Sequence, residues 1–258
     1  MKNKLVKKML VFGTILLFFA ASIVSAVNIN LEPTNVIDKI ENLSPDIESF
    51  YPTDDAFVTE AVGHGGNNYG DVPEVHVSNK YGITPNWERN IFIMFDLSSL
   101  PSRANIISAK LYLYYYFYMD SNPVGRPLTI HRVLDDWDED IITYYTQPPV
   151  TSVICSSANV PSSINIWMSW DLTNEVKDFV EGEETNYGWK IMDETYWGWY
   201  DLPVPYFRSK EYDNNEFHPY LEIEFTTSRN KDITNLFFFQ FLERFQNAFP
   251  ILRYILGL

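Results

Sequence analysis

Cysteine and histidine are scarce in this chain of 258 residues. Cys155 is the single cysteine, so the chain cannot form an intrachain disulfide, and a small fold held together by disulfides is excluded. Its expected state is a buried, inert thiol, because no histidine lies near it in the sequence to act as a base. The histidines are scattered without the spacing of zinc ligands, which argues against a zinc centre; they are His64, His76, His131 and His218.

Positive charge is also in short supply. The chain has 19 Lys and Arg residues against 34 Asp and Glu residues, and its formal net charge is −15 at pH 7. Proteins that bind nucleic acid neutralise phosphates with clustered Lys and Arg, so this composition argues against nucleic acid as a partner. It also repels strongly anionic polymers at long range, although local basic residues can still bind them.

Long apolar runs occur only at the two ends of the chain. Near the N-terminus, lysines precede an apolar stretch over residues 9–24, and small residues follow as far as Ala26. This is the layout of a secretory signal peptide over residues 1–26, and we expect cleavage after Ala26. An uncleaved membrane anchor is the alternative, because the apolar stretch is close to the shortest that spans a bilayer. The sequence thus predicts a secreted or cell-surface protein.

The second apolar run belongs to residues 228–258, which we predict to be a linker followed by an amphipathic helical tail. Charged and amide side chains interrupt the run, and Pro250 would kink a helix. Because charges at the centre of a bilayer are costly, we expect this tail to dock on a membrane surface or on a protein. Residues 27–50 are polar and are predicted to be a flexible leader.

Between these ends, strand patterns alternate with turn residues. Only residues 174–181, NEVKDFVE, look helical, and Gly182 follows them as a stop signal. We therefore predict an all-β domain over residues 51–227, a two-sheet antiparallel β-sandwich of jelly-roll type with one short helix. Ten candidate segments support it: AFVTEAV, GHGGNNYGD, EVHVSN, NIFIMFDL, AKLYLYYYFYM, LTIHRVL, IWMSWDLT, YGWKIMD, YFRSK and YLEIEF.

Exposed aromatic side chains beside polar groups are the pattern that binds sugars. Aromatic rings stack on the apolar C–H faces of a sugar, and polar side chains bind its hydroxyl groups. The sequence TYWGWYDLPVPY offers Trp197, Trp199 and Tyr200 beside Asp201. We expect at least one of the three rings to face a ligand and one tryptophan to pack in the core.

Two further aromatic groups are candidates. Tyr81, Trp87 and Arg89 lie where the chain enters a strand, although a structural ion pair of Arg89 with Asp96 or another acid is the simpler expectation. Four tyrosines at alternate positions of the next strand share one face, which is either a binding platform or, more simply, the outer surface of the sandwich. They are Tyr112, Tyr114, Tyr116 and Tyr118.

A Gly- and Asn-rich loop next to two aspartates suggests a metal site. Asp54 and Asp55 precede this loop, which contains Asn68 and Asp71. Calcium prefers carboxylate, amide and backbone carbonyl oxygens, and such a loop supplies them. The spacing is not that of an EF-hand, and ordinary turn chemistry accounts for Gly and Asn equally well. A structural calcium ion is therefore a hypothesis, and no other cofactor is indicated.

An acidic run over residues 135–140 resembles a catalytic cluster only in composition. Paired carboxylates hydrolyse glycosides when they face each other across a cleft and one of them has a raised pKa. Adjacent acids on a hairpin are typical of a solvated turn. We therefore predict no catalytic residue from this run, whose acids are Asp135, Asp136, Asp138, Glu139 and Asp140.

Five segments within residues 54–225 carry a resemblance to a known family. They are DDAFVTEAVGHGGNNYGD; RNIFIMFDLSSLP with ISAKLYLYYY; IHRVLDDWDEDIITYYTQPP; WDLTNEVKDFVEGEETNYGWKI; and FRSKEYDNNEFHPYLEIEF. Their order resembles the DNRLRE-type domain, a secreted β-sandwich grouped with carbohydrate-binding module family ninety-six and common at bacterial and archaeal cell surfaces. The resemblance implies a polysaccharide partner. One position departs from the pattern: Tyr144 follows Thr143 where a tryptophan is usual, which should retain an aromatic plug.

The resemblance and the aromatic loops favour a secreted, non-catalytic module that binds extracellular polysaccharide. A structural or adhesive cell-envelope protein, whose tail docks on a membrane or a partner protein, is the alternative. A hydrolase or a polysaccharide lyase comes last, because no nucleophile, metal triad or spaced pair of acids stands out in the sequence.

Overall fold

A computed structural model describes residues 45–78, 87–102, 104–195 and 203–227. The predicted signal peptide, most of the predicted leader and the predicted tail lie outside these ranges. The described residues form strands, one α-helix and a short 3₁₀ helix at Asn215–Phe217. The elements are β1 (Asp46–Phe50), β2 (Pro52–Thr59), β3 (Glu74–His76), β4 (Arg89–Phe95), β5 (Ala104–Met119), β6 (Pro127–Arg132), β7 (Ser156–Asn159), β8 (Ile166–Asp171), α1 (Thr173–Glu181), β9 (Trp189–Met192), β10 (Val204–Arg208) and β11 (Tyr220–Thr227).

The strands form two antiparallel sheets. One sheet has six strands in the order β1-β11-β5-β10-β3, with β8 also paired to β5, and the other has five in the order β2-β4-β9-β6-β7. Strand β5 is the longest and pairs with β8, β10 and β11. The predicted all-β fold of two antiparallel sheets with one short helix is therefore confirmed.

The main hydrophobic core receives side chains from both sheets. Leu111, Leu113 and Tyr115 of β5 are buried in it, together with Ile91 and Ile93 of β4. Alternate residues of a strand point to the same face, so Tyr112 and Tyr114, which lie between these residues of β5, are on the other face of the six-stranded sheet. The core thus leaves a second row of β5 side chains outside it.

A second, smaller core covers the other face of β4. Phe92 packs there with Val133, Trp137 and Ile142 from the connection between β6 and β7, and the Trp137 ring lies 5.6 Å from that of Phe92. Strand β4 is therefore buried on both faces, which explains why its sequence is almost continuously apolar. The five-stranded sheet is covered in this way on the side opposite the main core.

Helix α1 begins and ends close to the predicted positions. The Asp171 carboxylate accepts a hydrogen bond from the backbone N–H of Thr173 at 2.9 Å, and Val176 is the buried residue of the helix. Gly182 ends the helix with a left-handed φ of 76°, and its N–H donates to the carbonyl of Phe179. The predicted stop signal is confirmed.

The structure corrects the predicted strand map in three places. Residues 46–50, predicted as part of a flexible leader, form β1 and pair with β11, and Phe50 is buried. Strand β7 at Ser156–Asn159 has no apolar alternation and was not predicted. The segment GHGGNNYGD, predicted as a strand, forms turns and bends, because its Gly and Asn residues favour turns.

Candidate functional site

Most of the sequence-predicted sugar-binding residues lie outside the described part of the chain. These are Tyr81, Trp197, Trp199, Tyr200 and Asp201. Their attachment points are described. The Ser78 N–H donates to the carbonyl of Arg89 at 3.1 Å, and the Val77 N–H donates to that of Pro205 at 3.3 Å. The chain therefore enters or leaves both predicted aromatic segments near the end of β3.

Trp87 and Arg89 lie at this same end of the molecule. Trp87 is 40% exposed, and the Arg89 guanidinium carbon lies 5.6 Å from the centre of its ring. Asp96 follows the far end of β4, about 20 Å away at the rise of a strand, so Asp96 is not the partner of Arg89. An ion pair of Arg89 with another acid stays a prediction. Burial, and then the charge of Arg89, lower the pKa of the neighbouring His76 to about 3, so that imidazole is neutral.

The predicted calcium ligands are not brought together as one site. Asp54 and Asp55 are consecutive residues of β2, and successive side chains of a strand point to opposite faces. The Asn68 amide donates to the carbonyls of Glu139 and Ile142, and its oxygen accepts the N–H of Gly70, whereas Asp71 is exposed. Within the described ranges no group of three or more His, Cys, Asp or Glu residues is arranged to hold a metal ion. A bound structural calcium ion stays a prediction.

Lysine supplies the positive charge beside Asp55. The Lys210 ammonium bonds to the carboxylates of Glu139, at 2.7 Å, and Glu211, and its backbone N–H donates to Asp55 at 2.8 Å. Burial raises the pKa of Asp55 well above its usual value, and the neighbouring Glu211 raises it further. This cluster joins β2 to the chain that follows β10, and it is a structural feature.

The residues of the acidic run make contacts within the fold. Glu139 turns inward to Lys210, Asp138 accepts the backbone N–H of Asp140, and the Trp137 indole donates to the carbonyl of Tyr187. These contacts are typical of a structural turn. Tyr144, which stands where a tryptophan is usual, packs its ring against the second core.

The outer face of the six-stranded sheet carries a connected group of aromatic rings, which we call the aromatic face. Tyr112 of β5 stacks on Tyr220 of β11, with ring centres 4.6 Å apart. Trp167 of β8 lies 5.3 Å from Tyr114 and 5.0 Å from Tyr220, and Phe217 lies 4.3 Å from Tyr114. Each of these rings is partly exposed. Three strands and the 3₁₀ helix therefore build one aromatic surface.

An arginine holds one side of the aromatic face. The Arg208 guanidinium lies between two rings, 3.5 Å from the centre of Tyr116 and 3.8 Å from that of Tyr212. The Tyr116 hydroxyl donates to the carboxylate of Glu74, and burial followed by that hydrogen bond raises the pKa of Tyr116. A cation between two ring faces orients both rings. Tyr212 is thereby fixed above the sheet.

Polar side chains continue the same face beyond Tyr112. In the strand register, Lys110 of β5 lies opposite Glu222 of β11 and opposite Asp171 of β8, and Ser169 of β8 lies opposite Tyr112. Residues two positions apart on a strand share a face, so these groups border the aromatic rings. The arrangement offers ring surfaces together with hydrogen-bonding groups, which is the combination that sugars require.

Sequence reasoning found only part of this surface. The alternation of tyrosines in β5 predicted one shared face, and this is wrong for Tyr118, which packs against the main core because the pairing with β10 shifts its register. The partners of the other tyrosines come from segments 50 or more positions away and depend on strand pairing. The register of β8 and β11 brings them together. The residues that sequence reasoning missed are Trp167, Arg208, Tyr212, Phe217 and Tyr220.

The comparison with protein families fits this architecture. The model of carbohydrate-binding module family 96 matches residues 46–225. The chain belongs to carbohydrate-binding module family 96. Its match starts at the first residue of β1, and the DNRLRE-type name stays a prediction. A search of curated proteins gave no match. No helix in the described ranges has the length and apolar character to cross a membrane.

Proposed function

We propose that this protein is a secreted, non-catalytic module that binds an extracellular polysaccharide on its aromatic face. The observation that carries the proposal is the ring cluster of Tyr112, Tyr114, Trp167 and Tyr220, partly exposed on one sheet and bordered by polar side chains. Membership of a carbohydrate-binding module family supports the ligand class. The N-terminal signal pattern supports secretion.

The charge of the protein favours a neutral polysaccharide. The chain carries a net charge of −15, so a polyanion meets long-range repulsion before it reaches the surface. On the aromatic face, Arg208 is already held between two rings, and Lys110 lies opposite Glu222. These two cations of the described aromatic face do not form a row that could match the regularly spaced carboxylates of an acidic polysaccharide.

Binding to immobilised polysaccharides tests this proposal. The purified full-length protein is applied to neutral and acidic polysaccharides, with calcium and with a chelator. We expect saturable binding to a neutral polymer. Replacing Trp167 or Tyr114 by Ala should weaken it about fivefold, because one aromatic contact is worth about 1 kcal/mol. Trp167→Phe keeps a ring and should retain most of the affinity.

Control variants locate the site. Trp87→Ala, Trp197→Ala and Trp199→Ala remove aromatic side chains from the sequence-predicted loops, and circular dichroism checks that every variant is folded. Binding that is lost in these variants and kept in Trp167→Ala would move the site to the loops near β3. Binding to no polysaccharide at all would contradict the proposal and favour a structural role in the cell envelope. Loss of binding in chelator would identify a metal requirement.

A further inference from the structure

A groove of about 650 Å³ lies at the end of β4 remote from Arg89. Phe95, Leu97 and Leu100 are buried and form its apolar part, and Phe179 and Val180 of α1 line another side. The groove involves β2, β4 and α1, whereas the aromatic face belongs to the six-stranded sheet. It is therefore a separate site. Concave apolar surfaces with a few polar groups are where small ligands bind.

The charged side chains that line this groove are both acidic. Asp54 lies on β2, opposite Met94, and Asp96 follows β4. The backbone N–H of Ser98 donates to the Asp96 carboxylate at 2.8 Å, and this hydrogen bond lowers the pKa of Asp96. Asp96 is consequently ionised at neutral pH. Among the described residues that line the groove, none is basic.

The end of helix α1 adds to this negative potential. Phe179 and Val180 belong to the last turn of the helix, where backbone carbonyls give the terminus a partial negative charge. Basic side chains often balance that charge, but the last turn of α1 contains none. Asp54, Asp96 and the last turn of α1 therefore line one groove together with apolar side chains.

Hydroxyl groups complete the lining. Thr53, Ser98 and Ser102 line the groove, and the Thr53 hydroxyl donates to the carbonyl of Met94 at 3.4 Å. A hydroxyl can accept a hydrogen bond while it donates another, so Thr53 can still accept one from a ligand. The groove offers an apolar surface, hydroxyl partners and negative charge in one place.

We propose that this groove binds a cationic amino sugar with a free ammonium group. The apolar floor contacts the C–H face of the sugar ring, the hydroxyls of Thr53 and Ser98 meet its hydroxyl groups, and Asp54 and Asp96 bind the ammonium. An aliphatic amine would leave the hydroxyl partners unused, and an N-acetylated sugar would leave the two carboxylates without a cation.

Calorimetric titration of the full-length protein tests the proposal. The probes are a tetramer of glucosamine and the N-acetylated tetramer, which share a backbone and differ in charge. We expect the glucosamine tetramer to bind more tightly. The double variant Asp54→Asn/Asp96→Asn should weaken its binding about fivefold, because it removes both carboxylates that meet the ammonium groups. Added salt should also weaken the binding of the glucosamine tetramer to the wild-type protein, because salt screens exposed charges.

Matched controls separate this groove from other effects. Asp136→Asn/Asp140→Asn removes the same number of exposed acids elsewhere and should leave binding unchanged, which excludes attraction by net charge alone. Trp167→Ala should also leave it unchanged, so failure here and failure of the aromatic face are distinguishable. Equal binding of the two tetramers, or unaltered binding by Asp54→Asn/Asp96→Asn, would overturn the proposal.

One further variant tests an alternative occupant. Arg103 follows Ser102 in the sequence and lies outside the described residues. In Arg103→Ala, binding of the glucosamine tetramer at wild-type strength or better, still dependent on Asp54 and Asp96, supports the proposal. Binding that is seen only in Arg103→Ala would assign the groove to an arginine of the chain itself and contradict the proposal.

Discussion

Asp55 is an acidic side chain that the fold keeps away from water. Only 1% of its surface is exposed, and burial and the nearby Glu211 raise its pKa. The folded protein therefore retains this proton at pH values where the unfolded chain has lost it. Between the ordinary pKa of an aspartate and the raised one, the contribution of Asp55 to stability falls as pH rises.

Replacing Asp55 by Asn should flatten this pH dependence. The amide keeps the shape of the side chain and carries no charge at any pH, so the variant should lose less stability than the wild type as pH rises above the ordinary pKa of an aspartate. Thermal unfolding at several pH values measures the difference. Asp71→Asn changes an exposed acid and should follow the wild-type profile. A steeper profile in Asp55→Asn than in the wild type would contradict the assignment.

Individual side chains show where sequence reasoning ends. The alternation in β5 correctly separated Leu111 and Leu113 in the core from Tyr112 and Tyr114 on the other face. It could not supply Trp167, because the register between β5 and β8 decides which residue lies opposite Tyr114. The ion pair between Arg89 and Asp96 failed for a related reason: both residues flank one strand, and its length keeps them apart.

The glycine that ends α1 and the glycine that precedes β9 form a matched pair. Gly182 and Gly188 have almost the same left-handed φ, 76° and 75°. A Cβ on Gly182 would meet open space, whereas one on Gly188 would collide with the backbone carbonyl of Ile93 in β4. The segment after α1 therefore depends on close backbone contact with β4 at Gly188.

Alanine at each position separates conformational strain from steric collision. Gly182→Ala should cost about 1 kcal/mol, the penalty for a side chain in the left-handed region. Gly188→Ala adds the collision with Ile93 and should lower the free energy of unfolding considerably more. Denaturant unfolding of the two variants gives the comparison. Equal losses would show that the backbone near Gly188 moves aside at little cost.

Whole elements were predictable where the sequence is periodic. Helix α1 was found because Val176 and Phe179 share a face and Gly182 ends it, and β4 was found from its apolar run. Strand β7 was missed because its sequence, SSAN, has neither alternation nor β-branched residues. Strand β1 was missed because four of its five residues are exposed, so its position depends on backbone pairing with β11.

Strand β1 determines where the N-terminal limit of the folded domain lies. A protein that starts at residue 51, the predicted boundary, lacks the buried Phe50 and the five register pairs with β11. It should unfold at a lower temperature than one that starts at residue 45, and it should aggregate more readily, because β11 becomes an unpaired edge strand. Calorimetry and light scattering measure both effects. Identical melting temperatures would mean that β1 adds nothing to stability.

The pairing of β1 with β11 also places the two ends of the sandwich side by side. Asp46 is the register partner of Phe225, and Cα atoms of such antiparallel partners lie about 5 Å apart. A short peptide can therefore join them, and new termini can be opened at the turn around Gly125 to give a circular permutant. For the same reason, the domain can be inserted into a surface loop of another protein without forcing that loop apart.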